Sequence, residues 1–152
     1  MKKQIVYQLL LSGLLLLVAC QSKSQQSGSS EAGKAPETAQ EQSAKIFKLL
    51  DPEGFKQQLE ATPDAQLIDV RTEGEVASGH LANARNINLQ SPDFKEQLST
   101  LDPAKPVFVY CAKGARSGQS AEIMKKMGFQ EIYDLKGGII QWKSSGLPVV
   151  TP

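Results

Sequence analysis

From residue 45 onward, short β-prone apolar runs alternate with longer stretches whose apolar residues recur at helical spacing. Ile46–Leu50, Gln66–Val70, Asn86–Leu89, Val107–Tyr110 and Ile132–Leu135 read as strands. Val107-Phe108-Val109-Tyr110 is continuously apolar, as expected of a central strand buried on both faces. Asp51-Pro52 supplies an N-cap and an N1 proline for a helix through Phe55 and Leu59. Thr72 suits the cap of a short segment 73–78, and residues 93–99 read as another brief helix. A longer helix is predicted from about Arg116 to Met127. Gly128 stands where a left-handed residue ends a helix, and Phe129 is placed to close back on Met124. Strand and helix in alternation predict one α/β domain over residues 45–152, built on a largely parallel sheet covered by helices.

The pattern upstream is different. Met1-Lys2-Lys3 precedes an apolar run from Ile5 to Ala19, broken at Gln8, Ser12 and Gly13. That is a basic start followed by a hydrophobic stretch of signal-peptide length, marginal against the ~20 residues that span a bilayer. Leu17-Val18-Ala19-Cys20 closes the run and resembles the lipobox of bacterial lipoproteins. The resemblance implies cleavage before Cys20, lipid on its sulfur and anchoring in the cell envelope. With Gln21 rather than Asp after the cysteine, it implies the outer membrane, facing the periplasm, if the envelope is Gram-negative. Apart from Pro36, residues 21–44 hold no apolar side chain larger than alanine and cannot offset the entropy of ordering. A flexible linker with a root-mean-square span of roughly 25–30 Å is expected there. The expected organisation is a lipoprotein signal peptide at 1–19, lipidated Cys20 with its linker at 20–44, and the folded domain at 45–152.

Composition narrows the functions. Seventeen basic side chains against 16 acidic ones leave no concentrated positive charge for nucleic acid. Residues 1–19 carry two lysines and no acids, so the remainder has 15 basic and 16 acidic groups, a formal charge of −1. Two cysteines and one histidine are too few for a thiolate zinc site or a His-rich metal site. If Cys20 is lipidated, Cys111 is the one thiol left.

Cys111 sits at the end of the most apolar strand, in Cys111-Ala112-Lys113-Gly114-Ala115-Arg116-Ser117, which leads straight into the longest helix. The C-terminal edge of a parallel sheet is where open α/β folds bind ligands. A tight loop entering a helix turns backbone N–H groups inward, and Lys113 and Arg116 add positive charge, so the thiol pKa should fall. Acidification alone achieves little. A free thiol is about 3% ionised at pH 7. Lowering its pKa by about two units raises the thiolate roughly 25-fold but cuts its nucleophilicity roughly 8-fold, a net gain of about threefold. The loop must therefore act mainly by binding an anion and stabilising an anionic sulfur intermediate.

These residues resemble the rhodanese family of sulfurtransferases over essentially all of 45–152. Asp69-Val70-Arg71, Glu75 and Gly79-His80-Leu81 match its early signature. Cys111 with Lys113, Gly114 and Arg116 matches its active loop. Leu135-Lys136-Gly137-Gly138, Trp142 and Gly146-Leu147-Pro148-Val149 match its C-terminal signature. Val76 and Ala82-Asn83 depart from the usual aromatic residue and Pro-Gly, which should alter packing and pocket shape without removing chemistry. The resemblance implies a rhodanese-like α/β fold with a central, mostly parallel five-stranded sheet flanked by helices on both faces. The loop from Cys111 to Arg116 has six residues, whereas the related phosphatases use seven, so it looks sized for sulfur rather than a tetrahedral oxyanion.

What the resemblance implies for chemistry is a ping-pong transfer of sulfane sulfur. Cys111 takes sulfur from thiosulfate or a similar small anionic donor. It then holds the sulfur as a persulfide among the N–H groups of Ala112, Lys113, Gly114, Ala115 and Arg116. Cyanide, a thiol or a thiol redox protein is the expected acceptor, with no metal or organic cofactor. Lys113 is expected to attract the donor, and Arg116 either to bind the anion or to hold the loop by pairing with Glu75 or Asp69. Asp69, Arg71 and Glu75 are expected to support the loop. His80 falls in a structural turn, and Trp142 with Ile139 and Ile140 reads as core. A rhodanese-fold module that carries sulfur or docks a partner with little turnover has the same sequence features, as does a redox role needing an external thiol.

Overall fold

The computed structural model describes residues 45–152; the signal-peptide, Cys20 and linker expectations lie outside them. Five strands and five helices alternate: β1 Ile46–Leu50, α1 Pro52–Glu60, β2 Gln66–Asp69, α2 Glu73–Ala77, β3 Arg85–Asn86, α3 Phe94–Leu98, β4 Val107–Tyr110, α4 Ala115–Lys126, β5 Glu131–Leu135 and α5 Gly138–Ser144. The sheet order is β1-β5-β4-β2-β3, and every pair is parallel. β4 lies at the centre with all four residues buried, which is why its sequence shows no polar face.

Alternate residues of the strands feed two cores. On one face Ile68, Val70, Val107, Val109 and Ile132 pack against Phe94 and Leu98 of α3 and Ala121 and Met124 of α4. On the other, Leu67, Phe108, Tyr110, Tyr133 and Leu135 pack against Phe55 of α1 and Ile139 and Trp142 of α5. Phe55 meets the Phe108 ring edge-on at 5.2 Å, and Trp142 at 6.3 Å. The sheet is therefore flanked by helices on both faces. Among the described residues, no helix is long and apolar enough to cross a membrane.

Local signals act where the sequence places them. The Asp51 carboxylate accepts from the Gly54 N–H at 2.8 Å and caps α1. At the end of α4, the Gly128 N–H donates to Lys125 and the Phe129 N–H to Met124, with Gly128 at φ +96°, a Schellman closure. Asn83, in place of the more usual glycine, takes the left-handed conformation at φ 63°, which its short polar side chain tolerates. β3 is displaced from the expected Asn86–Leu89. Its ladder stops at Asn86, whose side-chain amide donates to the carbonyls of Asp69 and Arg71, both at 2.8 Å.

Candidate active site

β4 delivers Cys111 to the C-terminal edge of the sheet, and four residues later α4 begins. Two features bend the intervening loop around the sulfur. Gly114 stands at φ +103° as the residue before α4, and its N–H donates to Cys111 Sγ at 3.0 Å. From the other side, the Ile139 N–H donates to the Cys111 carbonyl at 2.9 Å and the Ile140 N–H to the Ala112 carbonyl at 3.2 Å. The first turn of α5 thus holds the loop carbonyls outward, which leaves the loop N–H groups to face the sulfur. This approach requires Gly138. A Cβ there would lie 2.6 Å from the Ala112 carbonyl and closer still to that of Cys111, and its φ is +60°.

The thiol is nearly enclosed, at 1% exposure. Burial by itself pushes the Cys111 pKa up. The N–H and hydroxyl of Ser117 and the N–H groups of Gly114 and Lys113 more than reverse this, and the net shift is downward. The expected direction is present; the loop N–H groups of Lys113 and Gly114 act as expected, and Ser117 is an added source. Lys113 contributes its backbone N–H, while its side chain is exposed.

Arg116 forms a two-pronged pair with Glu75: Nη1 to Oε2 at 2.7 Å and Nη2 to Oε1 at 2.6 Å. Of the two pairings considered, it makes the one with Glu75. Glu75 Oε2 also accepts from the Thr72 N–H at 3.1 Å and hydroxyl at 3.0 Å, closing the first turn of α2. The Arg116 guanidinium, foremost, holds the Glu75 carboxyl down to about 2.

Asp69 and Arg71 form a buried pair at 2.6 Å. Arg71 also donates to the carbonyls of Glu75 at 3.1 Å and Gly79 at 2.8 Å. Its reach is to the turn carrying α2, so it supports the loop at one remove, through Glu75. His80 exchanges two backbone hydrogen bonds with Val150, at 2.9 and 2.8 Å, and lies in a structural turn. Trp142 is core, its indole N–H donating to the Pro148 carbonyl at 2.9 Å.

Two residues of the site were not anticipated from the sequence. Ser117 is fully buried behind the sulfur, and its hydroxyl donates to the Gly114 carbonyl at 3.0 Å. Its position three after Gly114, in the first turn of the helix, is the signal that could have found it. Asp134 on β5 is 2% exposed, with Oδ1 unpartnered. Burial, ahead of compensating hydrogen bonds from Ser117 and the Leu135 N–H, pushes its carboxyl up to about 6. Nothing local in the strand sequence marks it. A cleft of about 440 Å³ between Asp51–Glu53 and Lys136, Gly137, Gln141 and Ser145 lies beside the same edge, and Cys111 does not line it.

A cysteine held by loop N–H groups at the C-terminal edge of the central strand defines an α/β protein with a buried thiol site. Residues 51–145 match the model of the Rhodanese-like domain, and the chain belongs to that family. It is 34% identical over 103 residues to a sulfurtransferase of Allochromatium vinosum, covering 68% of this chain and 94% of that one. The polysulfide-sulfur transferase homodimer of Wolinella succinogenes superposes with a TM-score of 0.60 at 32% identity, over 70% of this chain and 80% of that one. A tRNA uridine(34) hydroxylase of Wolbachia pipientis is 37% identical over 99 residues, which span 62% of this chain but 35% of the hydroxylase. Sulfur transfer is the chemistry that these relatives support in general terms.

Proposed function

We propose that this chain transfers sulfane sulfur from thiosulfate or a similar small anion through a persulfide on Cys111. The observation that carries the reading is the donor set around one sulfur. Gly114 N–H lies at 3.0 Å, the loop carbonyls are tied back by α5, and Ser117 closes the rear. Such an arrangement stabilises negative charge on sulfur.

In the first half-reaction the thiolate attacks the outer sulfur of thiosulfate. A sulfur–sulfur bond forms to Cys111 as the bond to the sulfonate sulfur breaks, and sulfite leaves with the electron pair. In the second, cyanide or a thiolate attacks the outer persulfide sulfur, and the Cys111 thiolate departs. With Cys111 at 1% exposure, donors that present a small terminal sulfur are favoured over bulky electrophiles. Arg116 is engaged by Glu75, so we assign it to holding the loop, and give Lys113, free to swing at the rim, the attraction of the donor.

Intact mass of the full chain after excess thiosulfate tests the reading. A gain of about 32 Da, absent from Cys111→Ser and lost again with cyanide, is the expected result. If thiosulfate, polysulfide and other persulfide donors all leave the mass unchanged, the enzyme reading is wrong and a partner-docking module remains. We also propose that Leu17-Val18-Ala19-Cys20 directs lipidation of Cys20 and envelope anchoring. Metabolic labelling with a fatty acid should mark the wild type and not Cys20→Ser; equal labelling of both would refute it.

A further inference from the structure

We propose that the free edge of the sheet, strand β1 with its exposed Ile46, Phe47 and Leu49, docks on the surface of an anionic phospholipid bilayer and sets how the domain stands on the membrane that holds it. This rests on the reading of the N-terminal segment through Cys20 as an envelope anchor, and not on the sulfur chemistry of Cys111.

β1 is an edge strand, paired with β5 on one side only. Its first four residues are exposed and Leu50 is half-buried, although the strand continues a buried sheet. Three of the five large apolar side chains exposed among the described residues lie on this one strand. Phe47 at 41% and Leu49 at 55% exposure fall on the α4 face, where the Lys125 ammonium stands 3.6 Å from the centre of the Phe47 ring. Ile46 and Lys48 fall on the other face, with Lys48 6.0 Å over the Tyr133 ring. A second copy is poorly matched to this edge. An antiparallel pair centred on the strand would set Lys48 directly opposite Lys48, and like charges there oppose pairing.

Charge and connectivity name the occupant. Lys45 and Lys48 have no carboxylate partner among the described residues. The acids beside them are engaged: Glu122 pairs with Lys125 at 2.7 Å, and Glu131, in register with Ile46, accepts from the Tyr133 hydroxyl. Apolar side chains ringed by ammonium groups suit the interface of an anionic bilayer, where lysine stems lie along apolar surface and their heads meet phosphate. The unpaired N–H and C=O groups of the edge stay hydrated at that depth. The chain also reaches its anchor through this edge. Residues 21–44 join Cys20 to Lys45, the residue before β1. The expected span of that linker, roughly 25–30 Å, makes β1 the element held nearest the membrane. Such tethering lets a patch too weak to bind from solution stay docked. β4 lies two strands in from β1. Docking would therefore hold Cys111 roughly 10 Å beyond the docked edge, at ~4.8 Å per strand, with the C-terminal edge of the sheet opening along the membrane.

The test places an indole on the patch. Leu49→Trp, and Ala77→Trp at an exposed site on α2, are made in the full chain, with the wild type as the blank for buried Trp142. The chains are held on vesicles of phosphatidylglycerol and phosphatidylcholine, with or without bromine on the acyl chains. Emission from the indole at 49 should fall about twofold on brominated lipid, while that at 77 stays unchanged. Pure phosphatidylcholine vesicles, or the double change Lys45→Glu with Lys48→Glu, should remove about half of the quenching or more. Equal quenching at the two positions, none at 49, or quenching indifferent to lipid charge overturns the proposal. Quenching that vanishes when each vesicle carries a single chain overturns it in favour of a second copy. A blue-shifted indole at 49 that bromine does not quench overturns it in favour of cover by the chain's own N-terminal segment. Fatty-acid labelling of Cys20 is scored on the same samples. Labelling without quenching removes only the docking, quenching without labelling removes only the lipidation, and a chain that never associates with vesicles removes both.

Discussion

Replacing Asp134 by asparagine should stabilise the fold, and the gain should depend on pH. In the folded chain the carboxyl titrates at about 6 instead of the ordinary 3.8, because burial disfavours its charged form. Just over two units correspond to about 3 kcal/mol. The group is 2% exposed, so solvent screening removes little of this. The folded state holds the proton more tightly than the unfolded one, so stability is greatest below the unfolded value and falls as pH rises from about 4 to 6. Above that the full cost persists. Asparagine has no such term. Wild type and Asp134→Asn should therefore be about equally stable near pH 4. By pH 7 the variant should lead by about 2–3 kcal/mol, the amide's own unpaired atoms taking back part of the gain. For a domain of this size that is a rise in Tm of roughly 10–15 °C. Urea unfolding of the full chain across pH 4–8 measures it. An offset that does not change with pH would mean that only packing differs. A less stable variant at pH 7 would mean that the ionised carboxylate is compensated by donors beyond Ser117 and Leu135.

Gly138→Ala should force α5 away from the Cys111 and Ala112 carbonyls, lowering stability by about 2 kcal/mol or more and slowing thiosulfate loading at least tenfold, read by unfolding and by intact mass. Arg116→Lys keeps the charge but loses the fork that grips Glu75, so loading should fall about tenfold with little change in stability. The Glu75 pair, at 25% and 34% side-chain exposure, is worth about 1 kcal/mol at most. Its carboxyl is depressed from 4.5 to about 2. The contribution is complete above the unfolded value and is lost as pH falls through 2, so the stability gap to Glu75→Gln should close in acid. Asn83→Ala should cost about 1 kcal/mol in urea unfolding, because alanine meets the left-handed backbone at φ 63° without a compensating polar side chain.

Much of the architecture is legible locally. The apolar run of β4, the Asp51-Pro52 start of α1 and the Gly128-Phe129 end of α4 each carry their own signal, and each acts where that signal lies. β3 is the element whose extent differs, Arg85–Asn86 instead of Asn86–Leu89: its chain stays tied to β2 through the Ile87 and Leu89 N–H groups and the Asn86 side-chain amide, but leaves the regular ladder after Asn86, which propensity does not register. Of the candidate site residues, Cys111 and the loop through Arg116 stand out by their place between strand and helix. The Arg116–Glu75 partnership spans 41 positions and becomes definite once α2 and α4 meet.

The chain's own pattern determines which segments become strands and helices, which residues bring a thiol and cations to the sheet edge, and that the outcome is α/β. Those properties depend on neighbours three or four positions away. Folding decides what surrounds the sulfur. The α5 amides that turn the loop carbonyls outward lie 28 residues from the groups they bind. Asp134 reaches the rear of the site through its register with Val109, and becomes unusual only when burial strips away its water. Charge on sulfur is governed by donors and dielectric assembled from β4, α4, β5 and α5 together, and that assembly exists only in three dimensions.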